Sequence, residues 1–162
     1  MTRGIMRGYE AMHVIRMRAN DVKKLTYTDE EILADINTAV RYLSNILIQR
    51  RSPEMIEVVL IHDYMKIPEG FHSLVGQNPV WVEGGTFRTY SGPHAVVPVR
   101  YFCTREPLRS LMETIPFPDD YFDLIVETAL SLLKSADEYD VSAETEVLDR
   151  MAKMLPGEGA KE

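Results

Sequence analysis

Two prolines at alternate positions, then paired aspartates and a strongly apolar run, constrain this chain more than any other stretch does. The segment reads Ile115-Pro116-Phe117-Pro118-Asp119-Asp120-Tyr121-Phe122-Asp123-Leu124-Ile125 and stays apolar through Leu130. The prolines disfavour helix before them, and Asp119 or Asp120 is placed to cap the free N–H groups of a helix that follows. Asp119, Asp120 and Asp123 also set negative charge at the positive end of its dipole. The spacing predicts a helix from about Asp120 to Asp137, with Phe122, Ile125, Ala129, Leu132, Leu133 and Ala136 on one stripe. Leu124 and Leu130 widen that stripe, so the helix is expected to be covered on more than one side. This is an assembly element, with nothing reactive in it.

Other helices flank it. A first, from about Thr2 to Arg18, groups Ile5, Tyr9 and Met12 and leaves Arg3, Arg7, Arg16 and Arg18 to solvent, with Asn20-Asp21 as its break. A second opens on a capping box, Thr28 with Glu31, and buries Ile32, Leu33, Ile36, Val40, Leu43, Ile46 and Leu47. Glu31, Asp35, Thr38, Tyr42, Asn45 and Gln49 fall opposite, Arg50 and Arg51 close the far end, and Pro53 stops the helix. Leu108, Leu111, Met112 and Ile115 suggest a short helix after Pro107. Ser142 is read as the cap of a last helix with Val147, Leu148, Met151 and Leu155 inside. Pro156-Gly157 ends that helix, leaving 156–162 as a flexible tail.

The middle of the chain changes period. Met55 to Ile61 is a β-branched run, and Ile67-Pro68-Glu69-Gly70 breaks it. Val80–Glu83 and Thr86–Tyr90 flank Gly84-Gly85, which is a hairpin pattern because glycine reaches the positive φ of the turn. Ala95 to Thr104 reads as another strand, and Pro98 within it predicts an edge or a bulge. The expected fold is therefore α+β and mainly α. About four helices form a body over residues 1–155, read as one domain, with a short-stranded β insertion at about 55–105.

Composition sets the outer limits. A chain of 162 residues can bury about 70% of its unfolded surface. No apolar run has the length needed to span a bilayer, arginines interrupt the N-terminus where a signal peptide would need apolar residues, and the single Cys103 excludes an internal disulfide. Charge is uneven: residues 1–24 carry net +4, residues 25–53 and 54–105 carry −1 each, and residues 106–162 carry −9, for −7 overall. An acidic third of this kind repels nucleic acid, whereas the basic start suits an acidic surface.

Candidate chemistry is sparse. His62-Asp63 resembles the central dipeptide of metal-dependent phosphohydrolases, which would make the chain a small metal-dependent hydrolase. His13, His72 and His94 show no ligand spacing to support it. Cys103 with His94 as its base lacks oxyanion-hole glycines beside the cysteine. Ser73 and Ser91 lie in no nucleophile elbow, and Gly84-Gly85 lacks the lysine and the helix of a phosphate loop. Arg3, Arg7, Lys23 and Lys24 make no continuous basic face for DNA. The nine methionines fit adaptable packing. No catalytic, cofactor-binding or metal-ligating residue is assigned, and no enzyme or cofactor is expected.

Taken together, several segments resemble the head–tail adaptor proteins of tailed bacteriophages, also called connector or head-completion proteins. The segments are Tyr27-Thr28-Asp29-Glu30-Glu31-Ile32-Leu33-Ala34-Asp35-Ile36-Asn37 and Ile67-Pro68-Glu69-Gly70-Phe71. Val99-Arg100-Tyr101-Phe102, the stretch from Ile115-Pro116 to Leu130, and Asp137-Glu138 complete the pattern, which covers about Leu25 to Leu155. The resemblance implies a virion structural protein of the head–tail neck, made in the host cytoplasm. It further implies a homo-oligomeric ring, dodecameric in the family, that binds a portal protein and a tail or nozzle protein. Genome DNA would pass through without specific binding, and no membrane is involved. The Trp81–Tyr90 hairpin and the basic start depart from the family pattern. An oligomeric interaction module outside any virus is the other non-enzymatic reading.

Overall fold

The computed structural model describes residues 5–136 and 141–155. The expected cap at Ser142 and the tail at 156–162 involve side chains or residues outside that description. The architecture is α+β and helix-rich, as the sequence pattern indicates. The chain divides into two compact units. One comprises Met1–Ile46 with Glu106–Glu162, and the other is the contiguous stretch Leu47–Arg105.

The first unit contains α1 (Gly8–Arg18), most of α2 (Asp29–Gln49), α3 (Phe122–Ser135) and α4 (Val141–Met154). α3 packs on both α1 and α4. That position explains why Leu124, Ile125, Val126, Thr128, Ala129, Leu130 and Leu133 are all buried. Leu132 is only half-buried and Ala136 is exposed, so the covered face turns slightly away from the expected stripe. On α4, Val147 and Met151 face inward, with Leu155 buried just beyond the helix.

α1 overturns its expected face. It starts at Gly8, Ile5 is 77% exposed, and the buried positions are Gly8, Ala11, Ile15 and Arg16. Small residues define this face because the chain crosses it closely: a Cβ on Gly8 would lie 3.0 Å from Leu111 Cα. The crossing segment is not the short helix expected after Pro107. It runs along the start of α1, where Gly8 and Tyr9 donate to the Glu113 and Leu111 carbonyls (3.0 and 2.8 Å) and Ile115 donates to Met6 (2.9 Å). These bonds satisfy amide groups that a helix start leaves open. Asn37 of α2 fixes the other end, donating to the Leu108 carbonyl and accepting from the Leu108 N–H (2.9 and 2.8 Å).

The paired aspartates also behave differently from expectation. Asp119 and Asp120 lie in a 3₁₀ turn that precedes α3, and no side chain caps either element. Asp119 instead accepts from the Ile5 and Met6 N–H groups (3.0 and 3.3 Å), tying the chain start to the foot of α3.

The capping box of α2 is present as expected: Thr28 N–H donates to Glu31 and Glu31 N–H donates to Thr28 Oγ1 (2.8 and 3.1 Å). The helix stops before Pro53 is reached. Ser52 donates to Leu47 and Arg51 to Ile48 (2.9 and 2.8 Å), with Arg51 in the left-handed region at φ 56°. This is a Schellman termination built on a non-glycine residue. Asn20 closes α1 in the same way, at φ 55°. Tyr42, expected on the polar face, is buried together with Ser44.

Asp35, in the second turn of α2, is half-buried, and its carboxyl is raised to about 6 by burial and then by the neighbouring Glu31 charge. The folded state therefore holds a proton that the unfolded state releases above its ordinary value. The resulting cost is full above pH 6 and disappears as pH falls below about 4. Asp35→Asn is expected to raise stability at pH 7 by about 1–2 kcal/mol, allowing for solvent screening. The gain should shrink in melts run near pH 4.

In the second unit, β1 (Ile56–Ile61), β5 (Val97–Cys103) and β2 (Phe71–Leu74) form an antiparallel sheet in the order β1-β5-β2. β3 (Val80–Glu83) and β4 (Thr86–Thr89) form the expected hairpin, with Gly84 and Gly85 both at positive φ. Phe87 is fully buried in a core with Ile61, Val80, Val97 and Val99, and it meets Phe71 edge-on at 5.6 Å. Pro98 does not mark an edge strand, since β5 is central. The Arg100 carbonyl accepts from Val75, so residue 98, two positions earlier, also turns its backbone toward β2. The ladder with β2 ends at Tyr101 and the Val75 bond is the last on that side, so no donor is missed at Pro98. The bulge lies in β2, between Phe71 and Ser73.

Candidate interaction surface

The Gly84-Gly85 turn fixes the hairpin register, and that register sets Trp81 directly opposite Arg88. Arg88 is the centre of a surface cluster. Its guanidinium lies 3.9 Å from the Tyr64 ring centroid and 5.5 Å from that of Trp81. Its Nε donates to Asp63 at 2.9 Å, and Glu83 stands 3.6 Å from another nitrogen. Trp81 packs on Tyr90 at 4.4 Å and donates its indole N–H to Glu83 at 3.1 Å. Tyr64 and Tyr90 stay 64% and 74% exposed, so two rings project from a base held by ion pairs.

The electrostatics of the base are cooperative. Burial pushes the Asp63 carboxyl up, but the Arg88 hydrogen bond, the Thr89 N–H and the Arg88 charge outweigh it and hold the carboxyl below the usual range. The same contact with Asp63, against some burial, raises Arg88 above its ordinary value. A locked arginine between aromatic rings matches the residue types that dominate protein interfaces: Trp, Tyr and Arg.

The segment 64–67 covers the outer edge of β4. Tyr64 donates to Phe87, Phe87 to Met65, and Ile67 to Gly85 (2.8, 2.7 and 3.1 Å). Gly70, at φ 78°, packs on the end of β5, where a Cβ would come 2.9 Å from the Thr104 carbonyl oxygen.

In the first unit, the corner between α1 and α2 has its own locked base. Arg16, expected in solvent, is only 4% exposed, and it donates to Asp21 (2.8 Å), the Tyr27 carbonyl (3.0 Å) and Asp29 (2.6 Å). Asp21 in turn accepts from the N–H groups of Leu25, Thr26 and Tyr27. Burial acts to raise its carboxyl, and those three donors with Arg16 bring it below the usual value. Around this base, Met17, Val22 and Leu25 are exposed.

The reactive pairs weighed from the sequence do not assemble. His62 is exposed and bonds its ring to the Asp63 carbonyl, while the Asp63 carboxylate is held by Arg88 and Thr89, so the two side chains do not converge as ligands. Among the described residues, no three His, Cys, Asp or Glu side chains are grouped to hold a metal. Cys103 Sγ donates to the Glu69 and Thr104 carbonyls, and His94 lies before the opposite end of β5, roughly 20 Å of strand away. Ser73 bonds its neighbour His72, and Ser91 N–H donates to Thr89 Oγ1.

The charge asymmetry is also partly used within the chain. Arg18 binds Asp123 (3.3 Å) and Glu127 of α3, so this part of the basic start meets the acidic third internally. Among the described residues, no helix is long and apolar enough to cross a membrane. No protein-family model matches the chain, and no curated protein matches it.

Sequence reading missed the Arg88 cluster. Its signal was available: once Gly84-Gly85 defines a two-residue turn, counting outward pairs Trp81 with Arg88.

Proposed function

We propose that this chain is a structural adaptor of a phage virion, forming a ring between the portal and a tail or nozzle protein and extending the DNA channel. The observation that carries this reading is the Tyr64–Trp81–Arg88–Tyr90 surface, where exposed aromatic rings stand on a locked arginine, while the candidate nucleophiles and ligands among the described residues are dispersed or already engaged. Locked side chains bind at lower entropic cost than mobile ones. The acidic composition of the C-terminal third suits a passage through which DNA slides, because like charges deny it a phosphate site. The resemblance of the segments between Leu25 and Leu155 to head–tail adaptors supplies the identity of the partners.

Mixing the purified chain with the portal protein encoded in the same genome is expected to yield a ring complex in size-exclusion chromatography. Trp81→Ala should weaken its assembly with portal or tail protein by about thirtyfold, corresponding to about 2 kcal/mol at an interface hot spot. Failure of the unmodified chain to co-elute with either partner would overturn the proposal. The hydrolase reading has no comparable support, because Asp63 is committed to Arg88.

A further inference from the structure

β1 carries an unusual combination for the edge of a sheet. Among the described residues it pairs only with β5, and the register sets Val59 opposite Val99 and Val58 opposite Arg100. Because Arg100 turns its backbone toward β2, Val99 turns toward β1. Val59 therefore faces β5, while Ile56, Val58 and Leu60 turn their backbone groups to the open side. The Ile56 N–H is used locally by the Pro53 carbonyl. The Ile56 carbonyl and both groups of Val58 and Leu60 form no other backbone bond with a described segment.

The side chains on that edge are apolar as well. Val58 and Leu60 are each 64% exposed, and Val96 beside them is equally so. Natural sheet edges are usually blunted by lysine, proline or a bulge. Ile56-Glu57-Val58-Val59-Leu60-Ile61 has none of these. Its one charge, Glu57, faces Arg105 of the same unit at 3.8 Å.

We propose that β1 is a strand-addition edge through which two copies of this chain pair antiparallel, Val58 against Val58. The choice of occupant follows from self-complementarity. A twofold axis at Val58 sets Ile56 opposite Leu60 of the second copy and Val58 opposite itself, the positions whose backbone faces outward. Val58 N–H and carbonyl then exchange two bonds across the axis, and each Leu60 N–H donates to the other copy's Ile56 carbonyl. Glu57 falls opposite Val59, so like charges do not meet. The exposed apolar residues meet as cross-strand pairs, and two three-stranded sheets become one of six strands. The contact is isologous, unlike the heterologous contacts that close a ring, and the inference stands whether or not the adaptor reading holds.

The test uses the full chain. Analytical ultracentrifugation should show a concentration-dependent dimer, and the Val58 and Leu60 amides should exchange more slowly as concentration rises. Val58→Lys and Val58→Glu should each weaken the dimer by about tenfold or more, through like charges placed directly opposite. Because Val58 faces itself, an equimolar mixture of the two variants should restore a mixed dimer. Trp81 fluorescence reports whether each variant keeps the fold of this unit. A monomer at every concentration, amide exchange independent of concentration, or a dimer indifferent to Val58→Lys would each overturn the proposal. Loss in both variants without rescue by mixing would overturn the Val58-to-Val58 register. A complex with portal or tail protein leaves these outcomes unaltered, so the two proposals fail separately.

Discussion

Phe87→Ala is expected to destabilise the second unit by about 3–5 kcal/mol, through lost apolar transfer and the cavity left behind. Phe87 is fully buried, and its ring joins the hairpin to the sheet through Phe71 and the core around Ile61 and Val99. The chain contains a single tryptophan, Trp81, and it sits on that hairpin. Fluorescence therefore reads this unit selectively, and the urea midpoint of the tryptophan signal should fall sharply in the variant. A midpoint unchanged from the parent would mean that the hairpin is not held by this core. The prediction also bears on binding, because Arg88 and Trp81 are positioned only while Phe87 anchors β4.

Arg16→Met is expected to lower the melting temperature by on the order of 10 °C, read from the helical signal in circular dichroism. Methionine keeps the stem that Arg16 buries but removes the guanidinium shared by Asp21, Tyr27 and Asp29. Asp21 then remains buried with its backbone donors alone, and removing one partner of a buried ion pair costs far more than the pair itself contributes. The pH dependence has a defined sign. Asp21 has a folded-state value below its ordinary one, so its stabilisation is present above that ordinary value and is lost as pH falls through the folded one. Without Arg16 the folded value moves up, and acid unfolding of the variant should begin at higher pH. An acid midpoint identical to that of the parent would separate Arg16 from Asp21.

These two residues also mark where the sequence was legible. The helical faces built from large apolar residues were readable: Ile32, Ile36, Val40 and Leu43 on α2, and Val147 and Met151 on α4, are buried as their spacing requires. The hairpin was readable because two adjacent glycines admit few other conformations. Arg16 was not, since an arginine at the end of a helix normally points to water and only the returning loop of Asp21 encloses it. α1 was misjudged for a related reason: Gly8 and Ala11 are buried for their small size, which leaves no hydrophobic stripe. The segment 108–115 has a helix-like pattern, yet its backbone is satisfied by residues about a hundred positions away, and no local window contains them.

The surface cluster follows the same logic. Trp81, Arg88 and Tyr90 were reachable by counting from the turn, but Tyr64 and Asp63 join them from another part of the chain. Asp119 shows the limit from the other side. A residue well placed to cap α3 bonds instead to Ile5 and Met6, a choice that depends on where the chain start lies.

The way the chain is divided has a consequence for its synthesis. Leu47–Arg105 is one uninterrupted segment, whereas its companion is made of two pieces on either side of it. As the polypeptide leaves the ribosome, the three-stranded sheet and the hairpin have all their strands once Cys103 has emerged, so this unit is free to fold early. α1 must wait for α3, more than a hundred residues later, before Ala11 and Ile15 find cover. During that interval the nascent chain displays a finished sheet with an open edge while the helices of the other unit are still incomplete, and crowded translation of neighbouring copies is when unwanted pairing is most dangerous.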